Sequence, residues 1–200
     1  MANFDDVGRP EPEPAVNEVE TLRGFLNYQR ATLKWKCEGL ESAAMNTSVA
    51  KSAITLGGLL KHMTFVENEW FWRWIGDNDR LEPWLSADFA TFPDWEFESA
   101  QSESVELLFA NWNASVALSE KVLSDSLANG GLDQLAKRKW PSGESPSLRW
   151  ILVHMIEEYA RHNGHADFIR ESIDGQSGEL QLGEFEKQFL DFSDAVALLR

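Results

Sequence analysis

Four long stretches of this sequence repeat apolar residues at the three- and four-residue intervals of an amphipathic α-helix. The first carries Val19, Leu22, Leu26 and Leu33, and Gly39 follows its last turn. A glycine also follows the other three stretches, as it does at the ends of many helices. No two segments show the period-two alternation of paired strands. The pattern predicts an all-α bundle whose main helices occupy residues 17–39, 55–75, 104–127 and 147–173.

The segments outside these helices have a different composition. Residues 1–16 contain three prolines among alternating acids, which favours an extended arm. Residues 42–54 are small and polar and indicate a loop, whereas residues 77–102 lack periodicity and predict a long connection with about one turn of helix. Weak helical spacing over residues 184–199 indicates one more helix. We therefore expect three parts: an arm (1–16), one bundle (17–175) and a largely helical tail (176–200).

The composition excludes several classes of protein. A net charge of −15, from 33 acidic and 18 basic residues without a basic cluster, argues against binding to nucleic acid. The single cysteine, Cys37, permits neither an internal disulfide nor a cysteine-built zinc site, and its apolar helical row predicts a buried core thiol. No segment resembles a secretion signal or an uncharged membrane span. We expect a soluble cytoplasmic protein with no nucleic-acid or membrane partner.

Side chains that can bind metals cluster on the last predicted helix. At about 100° per residue, His154, Glu158, His162 and His165 fall within an arc of about 80°. The fourth histidine, His62, lies on the second predicted helix, so two packed helices can supply one site. Glu158 and His162 stack on consecutive turns and, together with His62, offer two nitrogens and one carboxylate. Zinc, nickel, iron and manganese all accept this donor set, which leaves positions for water or substrate.

Spacing alone does not choose among these side chains. His154 and His165 lie on the same helical face and can replace or support a ligand. The row can also be a seam of hydrogen-bonded neighbours or a solvated face with no ion. The sequence lacks the zinc-peptidase motif His-Glu-x-x-His, the paired Glu-x-x-His motifs of di-iron bundles and glycine-rich phosphate loops. An open metal site and a plain helical bundle remain as the two interpretations.

Three segments of the chain resemble the DinB-like superfamily. They are FLNYQRATLKWKCEGL at residues 25–40, LLKHMTFVENEWF at 59–71 and WILVHMIEEYARHNGHADFIRE at 150–171. The resemblance extends over residues 17–175 and is closest to the branch of mycothiol-dependent S-transferases and maleylpyruvate isomerases. It implies a four-helix bundle with a long crossover connection, and a metal held by His62, Glu158 and His162. His154 and His165 fall outside the implied ligand set, although they lie beside it.

The resemblance also implies a chemistry. The implied activity is that of a thiol-dependent S-transferase or isomerase: a divalent metal, with zinc preferred over nickel, iron or manganese, would activate the thiolate of a low-molecular-weight thiol such as mycothiol toward an electrophilic substrate. Arg73, Arg149 and Arg161 lie on the ligand-bearing helices and are candidates to hold a substrate carboxylate. Two alternatives remain open. One is a metal-binding protein without catalysis, and the other is a non-catalytic homodimer that uses the Trp-rich segment 70–95 and the C-terminal helix.

Overall fold

Six α-helices make up most of the computed structural model, which describes residues 3–49 and 51–178. They are α1 (Glu18–Cys37), α2 (Ser42–Met45), α3 (Leu56–Glu67), α4 (Trp95–Ala100), α5 (Val105–Asn129) and α6 (Leu148–Asp174). A π-helix, Asn68–Ile75, continues α3, and the 3-10 turn Gly131–Asp133 follows α5. The predicted all-α bundle is confirmed, with its four long helices as α1, α3 with its π-helical extension, α5 and α6.

Each long helix begins at a residue whose side chain satisfies a free backbone N–H group. Asn17, Thr55, Ser104 and Ser147 accept a hydrogen bond from the backbone nitrogen three residues further on. Such caps stabilise a helix by about 1 kcal/mol. Gly175 ends α6 with a φ of 78°, a left-handed conformation that glycine adopts without steric penalty. Helix boundaries therefore follow local chemistry that the sequence displays.

Two local features differ from the sequence prediction. The segment predicted as a loop at residues 42–54 contains α2, whose single turn is too short to produce a recognisable period. Met45 of this turn is buried and ties α2 to the core. The second long helix changes to π geometry at Asn68, which a 3.6-residue pattern cannot register. One short helix, α4, lies in the long connection as expected, and the helix predicted at 184–199 lies outside the described residues.

Helix α3 lies at the centre of the bundle, where α1, α4, α5 and α6 all pack against it. Its apolar residues Leu56, Leu59, Leu60 and Met63 are fully buried. Burial of one such side chain contributes about 1.5–3 kcal/mol. Gly58 permits the close approach of α4, because a Cβ atom at that position would lie 2.5 Å from Cδ1 of Phe97. The packing places one face of α3 between α4 and α6.

A buried ion pair joins α1 to α3 in the core. The guanidinium of Arg30 donates two hydrogen bonds to the carboxylate of Glu67, at 2.7 and 2.8 Å, and a third at 2.6 Å to Glu120. Oε1 of Glu67 also accepts a 2.8 Å hydrogen bond from the hydroxyl of Tyr159, which accepts one from Trp112. Full pairing offsets the desolvation of these charges. The Arg30 network therefore ties α1, α3, α5 and α6 together.

The N-terminal arm lies against α1. Arg9 donates to Asp5 at 2.6 Å and to the hydroxyl of Thr32 at 3.0 Å. Its guanidinium lies over the rings of Tyr28 and Trp35, at 4.7 and 4.8 Å from their centroids, within the usual range of cation–π contacts.

None of the helices in residues 3–49 and 51–178 is both long and apolar enough to cross a bilayer.

Candidate metal centre

Three side chains from α3 and α6 converge near one point. Nε2 of His62 lies 3.4 Å from Oε1 of Glu158, and Nε2 of His162 lies 3.5 Å from the same oxygen. One ligand atom of each residue lies within 4.8 Å of the other two. The i, i+4 spacing on α6 sets the second distance, and the packing of α3 on α6 sets the first.

These separations are long for hydrogen bonds and match the spacing of ligands around a metal ion. Nitrogen–oxygen hydrogen bonds usually measure about 2.9–3.0 Å, so 3.4 and 3.5 Å are long. Zinc lies about 2.0–2.2 Å from nitrogen and oxygen ligands, which puts two ligands of a tetrahedral ion about 3.3–3.6 Å apart. The two separations from Oε1 of Glu158 therefore match the spacing of zinc ligands, and the two histidine ligand atoms lie within 4.8 Å of each other.

The site is partly open to solvent. The side chains of His62, Glu158 and His162 retain 19%, 20% and 11% of their accessible surface. A fully enclosed structural zinc site normally has four protein ligands, whereas a site with three ligands and an open side can exchange water for another ligand. Three converging side chains and an open side are what the second type requires.

The charges of the metal-free site favour a cation. Burial alone would lower the pKa of His62, but hydrogen bonds and charges of Glu158 and Glu96 outweigh it and raise that pKa to about 9. Hydrogen bonds from His162 and His62 hold the pKa of Glu158 far below its usual value. The carboxylate is therefore negative at neutral pH, and its environment holds a positive charge on His62. A divalent cation at this point would replace that proton.

Three residues that the sequence did not identify as part of the site lie behind His62. Nδ1 of His62 lies 2.8 Å from Oε2 of Glu96, and Oε1 of Glu96 accepts a 2.7 Å hydrogen bond from Nε1 of Trp84. The ring of Phe97 stacks on that of His62, with centroids 5.7 Å apart. All three residues come from the connection between the π-helix and α5. No motif marks Glu96 among 33 acidic residues, so only the fold reveals its position.

The other two histidines of α6 lie beside the triad. His154 packs between Trp70 and Trp150, with ring centroids 4.7 and 5.1 Å away, and forms a second cluster with Glu157 and Glu158. Glu157 is exposed and paired with Arg161, so this second cluster is the weaker candidate.

His165 lies on the other side of the triad from His154 along α6. Its Nδ1 is 3.4 Å from Nδ1 of His162. Burial and the nearby His162 and Arg161 lower the pKa of His165, which favours its neutral form. The imidazole of His165 thus contacts His162 but lies outside the triad.

The three arginines considered for substrate binding already have acidic partners. Arg73 pairs with Glu69, Arg161 pairs with Glu157, and Arg149 pairs with Glu18 and Asp133. Trp84 lies in the segment 70–95 that was considered for a dimer interface, and it is 5% exposed and hydrogen-bonded inside the chain. Its side chain is therefore not available to a partner.

Comparison with known proteins agrees with this fold. Residues 21–175 match the model of the family described as mycothiol S-transferase. A solved structure, described as the conserved protein of a locus from Enterococcus faecalis, covers 81% of this chain and 100% of its own at a TM-score of 0.59. With 20% sequence identity, that likeness concerns the fold alone. No curated protein matches the chain significantly. The family match spans most of the bundle and confirms the DinB-like resemblance: the chain belongs to the mycothiol S-transferase family.

Proposed function

We propose that this protein is a metal-dependent S-transferase that joins a low-molecular-weight thiol, such as mycothiol, to an electrophilic substrate. In this proposal His62, Glu158 and His162 hold the metal, with zinc preferred. The observation that carries it is the pair of 3.4 and 3.5 Å separations around one carboxylate oxygen, in a chain whose residues 21–175 match mycothiol S-transferases.

The donor set explains why a metal is suitable here. When bound, a zinc ion supplies Lewis-acid stabilisation of a thiolate, so that the sulfur is ionised at neutral pH. Two neutral imidazoles and one carboxylate leave a net positive charge at the ion, which favours an anionic sulfur. The open side of the triad leaves room for the thiol, and the carboxylate of Glu158 carries the charge that holds the cation in place.

The one cysteine of the chain does not compete as a nucleophile at the site. Cys37 is fully buried, and its thiol lies 3.9 Å from the backbone oxygen of Leu56. Burial raises the pKa of this thiol far above its usual range, so it remains protonated. The reacting sulfur therefore comes from a small-molecule thiol.

The proposal is tested by metal analysis joined to an activity assay. Purified protein should contain or bind about one equivalent of zinc, measured by elemental analysis and by competition with a chelator. His62→Ala and His162→Ala should each abolish binding, while His154→Ala, a matched change on α6, should retain it. Conjugation of mycothiol to an activated halide, an epoxide or a maleyl compound should follow zinc content. Wild-type protein without metal affinity would overturn the proposal.

The two alternative functions give different results in the same assays. A metal-binding protein without catalysis would bind zinc normally and conjugate none of the thiols tested, including glutathione and cysteine as comparison thiols. A homodimer remains a separate prediction, since the family match does not address it. Sedimentation equilibrium of the zinc-loaded protein would decide whether the chain is a monomer or a dimer.

A further inference from the structure

Glu96 is a buried carboxylate whose two oxygens are both engaged. It is 6% exposed, with Oε1 bound to Nε1 of Trp84 at 2.7 Å and Oε2 to Nδ1 of His62 at 2.8 Å. Lys61, the residue before His62, pairs with Glu103 instead. A carboxylate is costly to bury without a charged or strongly polar partner. The indole of Trp84 and the imidazole of His62 are therefore the polar partners of this buried carboxylate.

The two nitrogens of His62 face different partners. Nε2 points to the oxygen of Glu158 in the metal triad, and Nδ1 points to Glu96. If Nε2 binds an ion, Nδ1 must carry the proton and donate it to Glu96. The ring of Phe97 stacks on the imidazole of His62 and restricts rotation of the imidazole. Both the tautomer and the ring orientation of His62 are thus set by residues of α4.

Glu96 is in turn held by Trp84. The indole N–H occupies the second oxygen, and its ring is 5% exposed and lies 6.1 Å from that of Phe65. Gly58 permits this arrangement, since any side chain there would meet Phe97 and push α4 away from α3. The long connection thereby supplies two consecutive links, indole to carboxylate and carboxylate to imidazole.

We propose that Glu96 and Trp84 are positioning residues for the metal centre, which fix the Nδ1–H tautomer and the orientation of His62 so that Nε2 meets the ion. This inference rests on the proposed metal site. It assigns the connection between the π-helix and α5 to the site itself. Loss of such a partner typically lowers metal affinity by about 10–100-fold.

The test compares zinc affinity among matched variants of the full chain by chelator competition. Glu96→Ala should weaken zinc binding by about 10–100-fold. Glu96→Gln keeps one oxygen that can accept from Nδ1–H but turns an NH2 group toward the indole N–H of Trp84, so it should restore only part of the affinity lost in Glu96→Ala. Trp84→Phe should give an intermediate loss. Glu98→Gln, an exposed change on α4, and Trp72→Phe, which removes an indole donor elsewhere, should leave affinity unchanged.

A second readout separates positioning from a general loss of structure. Long-range nitrogen–proton correlation spectra of the zinc-loaded protein should show His62 protonated on Nδ1 in the wild type and in Glu96→Gln. In Glu96→Ala that nitrogen-bound proton should exchange faster with solvent. Wild-type protein that binds no zinc would overturn the proposed metal site. Normal zinc binding in wild type and an equal affinity in a folded Glu96→Ala would overturn this inference alone.

Discussion

The hydroxyl of Tyr159 donates a 2.8 Å hydrogen bond to Oε1 of Glu67, on the side of α6 facing the buried core. Its neighbour Glu158 points to His62 and His162 instead. Consecutive residues of an α-helix point about 100° apart, so Glu158 faces the candidate metal centre and Tyr159 faces the Arg30 network. The two polar centres share α3 and α6 but have no hydrogen bond in common among the described residues.

This separation makes Tyr159→Phe a test of the network alone. The change leaves the indole N–H of Trp112 without its acceptor and removes one donor from Glu67. We expect a loss of about 1–3 kcal/mol in the free energy of unfolding in urea. Zinc affinity should stay within about twofold. Tyr28→Phe, a change of the other tyrosine in the chain, serves as the control and should change stability by less than about 0.5 kcal/mol.

Glu120 should make stability depend on pH. Burial alone would raise its pKa, but Arg30 and Arg23 outweigh this and lower it from the usual 4.5. Its contribution is therefore complete above pH 4.5 and is lost as the pH falls through the lower folded-state pKa. Glu120→Gln should lose about 1–2 kcal/mol at neutral pH, and the difference from wild type should narrow in acid.

Urea titrations at several pH values measure this difference. Glu106→Gln, an exposed change on the same helix, serves as the control and should track the wild type at every pH. A gap between Glu120→Gln and wild type that is independent of pH would contradict the assignment.

Two glycines should respond oppositely to alanine. A Cβ at Gly164, inside α6, would meet no atom within 4 Å, so Gly164→Ala should raise stability by about 0.5–1 kcal/mol. A Cβ at Gly58 would lie 2.5 Å from Cδ1 and 3.2 Å from Cα of Phe97. Gly58→Ala should therefore cost about 1–3 kcal/mol and also weaken zinc binding by displacing α4. Thermal unfolding and chelator competition measure both effects.

The thiol of Cys37 should be unreactive in the folded protein. It is fully buried, and burial keeps it protonated. A thiol-specific chromogenic reagent at about pH 8 should label less than a tenth of the native protein and about one thiol per chain after unfolding in urea. Rapid labelling of the native protein would mean that the core opens locally.

The choice between the two ligand clusters on α6 can be measured directly. His154→Gln should bind zinc as wild type does, because His154 packs between tryptophan rings outside the triad. His162→Gln should lose binding. The reverse result would place the ion in the cluster of His154, Glu157 and Glu158. Elemental analysis after dialysis against a weak chelator provides the measurement.

The sequence predicted most of the fold because the long helices carry their own signals. The period of the apolar residues and the glycine after each stretch are local signals, and they predicted the main helix boundaries within a few residues. The π-helix and α2 escaped prediction, because one depends on a change of period and the other on a single turn.

The candidate ligands were predictable for a similar reason, and their supporting residues were not. Glu158 and His162 are neighbours on any α-helix, whatever the rest of the fold does. His62 joined them through the family resemblance. Glu96 and Trp84 reach His62 only through the path of residues 76–104, which has no periodicity and no motif. Their role depends on tertiary contacts that local patterns do not encode.

The position of the ligands along the chain has a consequence for how the protein is made. Glu158 follows His62 by 96 residues, and His162 comes later still. During translation His62 is therefore synthesised before Glu158 and His162. The three-ligand site can form only after α6 has been synthesised and packed on α3. Metal loading through these three residues would thus be a late event in biogenesis, one that marks a nearly complete bundle.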